Sequence, residues 1–205
     1  MSTEYPPHNR NDVPIGFPVL PEPESAARFA LLRTWLEWCD TTHACNPQQV
    51  RSGASPTRLI YVGHADAEGL CLYLPKGTKG VKYTALSHCW GNKPPLEGDP
   101  QHCTTDGNIS ARLDGFSLSE LPKTFQDAVL VTRRLGIDYL WIDSVCIIQW
   151  NVEDWQCESG RMEDVFASAY CTIAATSAVD SNAGFLARNT STEYVRVQDA
   201  AGHQV

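Results

Sequence analysis

The spacing of apolar residues along the chain predicts an α/β protein. Apolar positions that recur every three or four residues predict helices, and short apolar runs between turn residues predict strands. Because strands and helices alternate from residue 83 onward, right-handed crossovers should bring the later strands together in a mostly parallel sheet flanked by helices. The predicted helices cover residues 25–39, 122–135 and 152–169, and the predicted strands lie within 58–62, 70–74, 83–91, 136–149 and 171–176.

Local signals predict where several of these elements begin and end. Ser25 is placed to cap the first helix, Pro122 suits the first turn of the second helix, and Gly136 should end that helix. The third helix is expected to turn Trp155 inward together with its other apolar residues. The first two strands should pair as a hairpin, and residues 92–118, rich in Pro, Gly, Asp and Asn, should be mostly loop.

Asp143 interrupts an apolar strand just where that strand should reach the surface. Ligands of open α/β sheets bind at the carboxyl ends of the strands, so an acid in this position is a candidate for a functional site. The alternative is an aspartate that caps the turn after the strand, which is ordinary turn chemistry. The pattern alone leaves both interpretations open.

Composition narrows the class of protein and of partner. The chain has 205 residues, of which 42% are hydrophobic and 20% charged, values typical of a globular domain with a substantial core. Its 24 acidic residues against 16 basic ones give a net charge of -8. That balance argues against a nucleic-acid binder, which needs a basic face. A nucleotide ligand stays compatible with it, because backbone amides and helix N-termini bind phosphate without net positive charge.

The sequence shows no signal for secretion or for membrane insertion. No apolar run approaches the ~20 residues that span a bilayer, and the proline-rich residues 1–23 lack the apolar segment of a secretory signal. Eight cysteines without such a signal are typical of a reducing compartment, so we expect a cytoplasmic protein without a disulfide framework. Residues 1–24 are expected to be a flexible lead-in and residues 189–205 a polar tail.

His88 and Cys89, with Cys146 further along, suggest a base and a nucleophilic thiol. Neighbouring residues of a regular strand point to opposite faces, so His88 and Cys89 are poorly placed to serve one site. A cysteine within an apolar strand is usually a small core residue. We therefore favour a structural role for Cys146.

Cys39, His43 and Cys45 form a partial metal-binding pattern at the end of the first predicted helix. Structural zinc requires four ligands, and nothing in the sequence nominates the fourth. We interpret these residues as an incidental group and expect no metal site.

Four segments, in this order, resemble the motifs of the fungal heterokaryon-incompatibility (HET) domain family. They are residues 83–91 (YTALSHCWG), 121–128 (LPKTFQDA), 139–149 (YLWIDSVCIIQ), and Met162 with Ala169. Residues 56–60 and 172–178 also look like that family. The resemblance spans roughly residues 35–188 and implies one HET domain over 25–188 with its core at 83–178.

The resemblance implies a protein of fungal non-self recognition, whose activation leads to programmed cell death when incompatible hyphae fuse. The family is also distantly similar to the Toll/interleukin receptor (TIR) domain, which has a flavodoxin-like α/β fold. Some TIR domains hydrolyse NAD+ with a glutamate on a helix after a central strand, often close to a tryptophan. The matching residue here is Glu158, three residues after Trp155. The simpler interpretation of Glu158 is a solvated acid near the start of a helix.

An NAD+ glycohydrolase needs carboxylates that stabilise an oxocarbenium-like centre while water attacks. The carboxylates that could converge here are Glu158, Asp143 and Glu153, of which Glu158 and Asp143 are the catalytic candidates. The candidate ligand-binding residues are aromatic rings for stacking and a hydroxyl and a glycine turn for phosphate: Trp90, Trp141, Trp155, Ser87 and Gly91. No cofactor is expected to be required beyond NAD+ as substrate. The alternative is a signalling adaptor without catalysis, which self-associates or binds another incompatibility protein, with Trp150 as an exposed contact.

Two positions depart from the family pattern. Acids usually follow the glutamine of the second block directly, but here Trp150 and Asn151 do so, and the acids come at Glu153 and Asp154. The tyrosine usually found four residues after the methionine of the third block is Phe166. If that acid or that hydroxyl is catalytic in other members of the family, we expect the activity of this chain to be impaired. The sequence also stops soon after the expected domain, while many members of the family continue for hundreds of residues, so a short executioner, a fragment and a decayed copy are all compatible with it.

Overall fold

Strands of the computed structural model form one mixed sheet, which is six-stranded within the described residues 24–43, 56–63, 67–75, 81–91 and 103–187. The strands are β1 (Leu59–Tyr61), β2 (Gly69–Tyr73), β3 (Tyr83–Ser87), β4 (Phe116–Ser117), β5 (Tyr139–Trp141) and β6 (Cys171–Ala174). Their order across the sheet is β4-β2-β1-β5-β3-β6. β3 is parallel to β5 and β6, whereas β1 is antiparallel to β2 and β5, and β4 is antiparallel to β2.

Helices flank this sheet, so the predicted α/β fold is confirmed. They are α1 (Ala26–Thr42), α2 (Ile109–Asp114), α3 (Lys123–Arg134), α4 (Asp143–Cys146), α5 (Val152–Ser159) and α6 (Met162–Ser168). The predicted N-terminal helix is α1, and the Ser25 hydroxyl caps it by accepting a hydrogen bond from the Arg28 amide at 3.4 Å. The predicted hairpin is formed by β1 and β2, with Ile60 opposite Leu72.

The core lies between α3 and the centre of the sheet. Phe125, Ala128 and Val129 on one face of α3 are at most 1% exposed, as the helical spacing predicts. The hydroxyls of Thr132 on α3 and Thr84 on β3 share a buried hydrogen bond of 2.7 Å, which satisfies both polar groups inside the core. Helix α3 thereby positions β5, the strand that follows it, and Asp143 just beyond the end of β5.

The prediction of a single helix over 152–169 is wrong, because the chain forms α5 and α6 with a break at Gly160 and Arg161. Arg161 leaves the helical path, and its guanidinium donates to the Thr57 hydroxyl at 2.9 Å. Trp155 is 56% exposed and therefore does not face inward. A tertiary contact of Arg161 with a residue 104 positions earlier was invisible to the local pattern.

The prediction of mostly loop over 92–118 is wrong for its last part. Residues 109–117 form α2 and β4, and a 3₁₀ turn over Leu118–Glu120 follows, whereas residues 92–102 lie outside the described residues. Two predicted strands are shorter than expected: β3 ends at Ser87, and β5 ends at Trp141 before Asp143 opens α4. The predicted lead-in and tail also lie outside the described residues, apart from Glu24. None of the helices in the described part of the chain is long and apolar enough to cross a membrane.

Candidate functional site

The carboxyl ends of β3 and β5 lie side by side at one edge of the sheet. The two strands are parallel neighbours, and Ala85 pairs with Trp141 in their register. The end of β3 and the segment 88–91 that follows it therefore lie close to Asp143, which follows β5 after Ile142. This is the position at which α/β sheets bind their ligands.

Asp143 is held in place by the segment that follows β3. The indole Nε1 of Trp90 donates to Asp143 Oδ2 at 2.8 Å, and the Ser144 amide donates to Oδ1 at 2.7 Å. The Asp143 side chain is 22% exposed, so the carboxylate is oriented by two donors while still reaching solvent. The contact with Ser144 is local turn chemistry, but the contact with Trp90 is a tertiary one that a turn does not require.

His88 lies next to this carboxylate and is buried, with a side chain that is 2% exposed. Its Nδ1 is 3.9 Å from Asp143 Oδ1, and its ring lies between Trp90, stacked at 6.1 Å, and the edge of Phe125 at 4.9 Å. Its Nε2 has no hydrogen-bond partner among the described residues. Burial lowers the pKa of His88 below its ordinary value and Asp143 opposes that shift only in part, so the imidazole is neutral at neutral pH. We call Asp143, Trp90 and His88 the Asp143 site.

A pairing of His88 with a cysteine nucleophile is disfavoured by the sequence pattern, and the geometry places His88 beside Asp143 instead. Cys89 is exposed, while Cys146 is completely buried in the short helix α4. Burial raises the pKa of the Cys146 thiol to about 12, so the group stays protonated at neutral pH and is a poor nucleophile. The partnership of His88 with Asp143 could be found only by recognising that the two strand ends are neighbours.

Ser87 and Gly91 lie at the same edge. The Ser87 side chain is exposed, and its carbonyl accepts from the Ala175 amide at 2.9 Å, which ties β3 to the chain after β6. Gly91 has φ +93°, and a Cβ there would lie 2.8 Å from the Cβ of Asp180. Position 91 therefore requires glycine for two reasons. Its backbone has a positive φ, and the chain at Asp180 approaches too closely for a side chain.

Trp141 and Trp155 lie apart from the Asp143 site. Trp141 is 1% exposed and packs edge-on against Phe166 at 5.4 Å, so it is a core residue in this structure. Trp155 lies on the exposed side of α5. Within the described residues, neither ring stacks on Trp90 or donates a hydrogen bond to Asp143, so the structure does not bring the three tryptophans together.

Glu158 belongs to a second polar group, which we call the Glu158 cluster. The carboxylate is 2% exposed and accepts a hydrogen bond from the Thr57 hydroxyl, and Arg161 Nη1 is 3.8 Å away. Glu158 is therefore not the solvated helix acid of the simpler interpretation. Asp143 and Glu158 each raise the pKa of the Cys146 thiol, so both carboxylates lie within electrostatic reach of that side chain.

Arg58 fixes the loop after Asp143, and sequence reasoning missed it. Its Nη2 donates to Asp154 Oδ1 at 2.6 Å, and its Nε donates to the Cys146 carbonyl at 2.6 Å. Asp154 in turn accepts from the Ile148 amide at 2.7 Å. The guanidinium thereby joins the strand β1 to α4, α5 and the turn between them.

The partial metal pattern gains no further ligand in the part of the chain that the structure describes. No group of three or more His, Cys, Asp or Glu side chains there is arranged to hold a metal ion. His43 follows α1 and stacks at a tilt on Trp38, with 5.5 Å between the ring centroids. Cys45 lies outside the described residues.

The family model described as heterokaryon incompatibility protein (HET) matches residues 83–204, which is more than half of the chain. The matched segment begins at β3 and contains the whole Asp143 site together with Glu158. Neither the curated proteins nor the solved structures yield a match to this chain.

Proposed function

The chain belongs to the heterokaryon-incompatibility (HET) family, and from this premise we propose that it acts in fungal non-self recognition and the programmed cell death that follows. We further propose that it does so by hydrolysing NAD+ at the Asp143 site. One observation supports this site above the others. An oriented and partly solvent-exposed carboxylate lies beside an aromatic ring at the carboxyl ends of two parallel strands.

The proposed reaction breaks the bond between the nicotinamide nitrogen and C1′ of the ribose. The electron pair of that bond leaves with nicotinamide, and the positive charge that develops at C1′ is stabilised by the Asp143 carboxylate. Water then bonds to C1′ and releases a proton, so that the products are ADP-ribose, nicotinamide and H⁺. The Trp90 indole holds the carboxylate in orientation and offers its ring as a stacking surface.

The neutral state of His88 suits this role. A protonated imidazole 3.9 Å from Asp143 would neutralise the charge that must face the developing cation. Burial keeps the pKa of His88 low and so preserves the full negative charge on the carboxylate.

The similarity with TIR domains points to Glu158, but in this proposal Glu158 is secondary to Asp143. It is buried and engaged by Thr57 and Arg161, so these contacts must open before it can touch a substrate. Asp143 requires no such rearrangement. We therefore propose that Asp143 is the carboxylate that stabilises the developing cation, and that Glu158 either positions α5 or joins the site after the cluster opens.

The test is the release of nicotinamide from NAD+ by the purified full chain at high protein concentration, which favours assembly. Asp143→Asn should abolish release, and Glu158→Gln should reduce it. Asp114→Asn, which removes an exposed acid at the end of α2, serves as the matched control and should leave it unchanged. Equal release by wild type and Asp143→Asn would refute the assignment of Asp143, and no release by any form would refute catalysis.

A second candidate function is that of a signalling adaptor without catalysis. It is favoured by the exposure of Trp155 and by the engagement of Glu158 with Thr57 and Arg161 rather than with the Asp143 site. It is also favoured by Trp150, which is 42% exposed as predicted. An adaptor would assemble or kill equally well with Asp143→Asn. An enzyme would lose killing in that variant while keeping its folded structure.

A further inference from the structure

Three large apolar side chains are exposed within six residues at the start of α5. Trp150 is 42% exposed, Val152 67% and Trp155 56%. Two acids, Glu153 on α5 and Asp106 in the turn before α2, are exposed in the same region. We call these five residues the Trp150 surface. Single exposed apolar residues are common, but a close group that includes two indoles is typical of a contact surface.

Trp150 adopts an unusual backbone conformation that presents its ring. Its φ is +63°, and it is the only residue other than glycine with a positive φ among the described residues. A bulky residue rarely occupies this region unless its surroundings hold it there. An observed outlier of this kind points to a function.

The chain on both sides of Trp150 is held firmly. Before it, the Gln149 amide donates to the Thr104 carbonyl at 2.7 Å. After it, Asn151 caps α5 through the Asp154 amide at 3.0 Å and donates to Asp106 at 2.9 Å. The indole is therefore displayed by a fixed turn, and little ordering of that turn remains to be done on binding.

The charges around the Trp150 ring determine which class of partner can bind. Asp106 is joined only to the neutral amide of Asn151, and Glu153 has no ion pair among the described residues. The cations that contact α5 in the described part of the chain include Arg58 and Arg161, which are engaged with Asp154 and with the Glu158 cluster. The surface is thus apolar and negatively charged. It repels anionic lipid and nucleic acid, and it also repels the same surface of a second copy.

We propose that the Trp150 surface binds a basic amphipathic segment of a partner protein, in which Lys or Arg side chains alternate with apolar ones. The apolar side chains would pack on Val152 and the indoles, and the cations would lie over the rings and beside Glu153. This interaction goes beyond the proposed NAD+ chemistry and does not depend on it. Its test uses no NAD+, so that failure of one proposal leaves the other intact.

The experiment measures fluorescence anisotropy of a labelled synthetic peptide in which arginine alternates with leucine, added to the full chain. A peptide with glutamate in place of each arginine tests the charge requirement. Trp150→Asn is the main variant, because asparagine tolerates a positive φ and so keeps the turn while removing the ring. Glu153→Gln removes one charge, and Trp35→Ala removes an equally exposed tryptophan (49%) on α1 as the matched control.

We expect the basic peptide to bind the wild type and Trp35→Ala with equal affinity. Trp150→Asn should weaken binding by about tenfold or more, as loss of an anchoring indole does. Glu153→Gln should weaken it less and reduce its dependence on salt. Binding that Trp150→Asn leaves unchanged, equal binding of the glutamate peptide, or no binding of the basic peptide would each overturn the proposal.

Discussion

Trp90 and Asp143 join the carboxyl ends of two neighbouring parallel strands through a hydrogen bond of 2.8 Å between the indole nitrogen and the carboxylate. The bond spans 53 positions of sequence, and both residues belong to motifs that resemble the same family. It turns two separate sequence motifs into one site. The proposed catalysis depends on this relationship.

The buried pair of Arg58 and Asp154 should be essential for stability. In Arg58→Met the Asp154 carboxylate, only 16% exposed, loses its cation, so the free energy of unfolding should fall by about 3 kcal/mol. Denaturant unfolding measures this change. In the double variant Arg58→Met with Asp154→Asn no charge is stranded and the side chain keeps an acceptor for the Ile148 amide, so much of the loss should be recovered. A double variant less stable than Arg58→Met alone would contradict a role as an ion pair.

Residues before position 83, where the match to the family begins, should be required for folding. β1 lies between β2 and β5, and Leu59, Ile60 and Val62 are 0% exposed. A chain reduced to residues 83–205 would leave the edge of β5 that pairs with β1 without a partner strand. We expect poorly dispersed amide resonances in its NMR spectrum, whereas a chain of residues 24–205 should give a dispersed spectrum. A folded 83–205 chain would show that the hairpin is an accessory.

Stability should fall as the pH is lowered through the range in which histidine titrates. The pKa of folded His88 lies below its ordinary value of 6.5 because of burial, so the unfolded chain takes up a proton more readily than the folded one. Neutral His88 therefore makes its full contribution to stability above pH 6.5, and that contribution declines as the pH falls below 6.5. Denaturant unfolding between about pH 8 and pH 5 measures the slope. In His88→Gln the slope should be smaller, and an unchanged slope would remove His88 as its source.

Gly91 and Gly136 should respond differently to the same substitution. Both have positive φ, +93° and +76°, but only at Gly91 does a new Cβ meet another atom closely, 2.8 Å from Asp180. Gly136→Ala should cost about 1 kcal/mol for backbone conformation alone. Gly91→Ala should cost more and should also disturb Trp90, its neighbour in sequence. Thermal unfolding measures the loss of stability in each variant. Equal losses would show that the chain around Asp180 adapts to the new side chain at no cost.

Local patterns predicted the parts of this fold whose causes are local. The Ser25 cap, the amphipathic face of α3 and its end at Gly136 follow from spacing and from residue type. The break between α5 and α6 and the outward position of Trp155 do not, because Thr57 and Arg58 bind that region from about a hundred residues away in sequence. α2 also escaped prediction, since its only buried residue is Arg112, whose guanidinium stacks on Phe116 at 4.6 Å.

The candidate site was predictable only in part for the same reason. The position of Asp143 after an apolar strand nominated it, and the resemblance to the family added Ser87, Trp90 and Gly91, which the structure places at the same edge. His88 acquires its role from the parallel register of β3 and β5, which no single segment encodes.

Whether Asp143 is catalytic is tested by measuring the release of nicotinamide from NAD+ by the wild type and by Asp143→Asn, with folding checked by circular dichroism. We expect the wild type to release nicotinamide and ADP-ribose in equal amounts and the variant, equally folded, to release neither. Equal release by both proteins would contradict the assignment of Asp143. No release by the wild type would contradict the proposed enzyme, and the adaptor function would then be the conclusion.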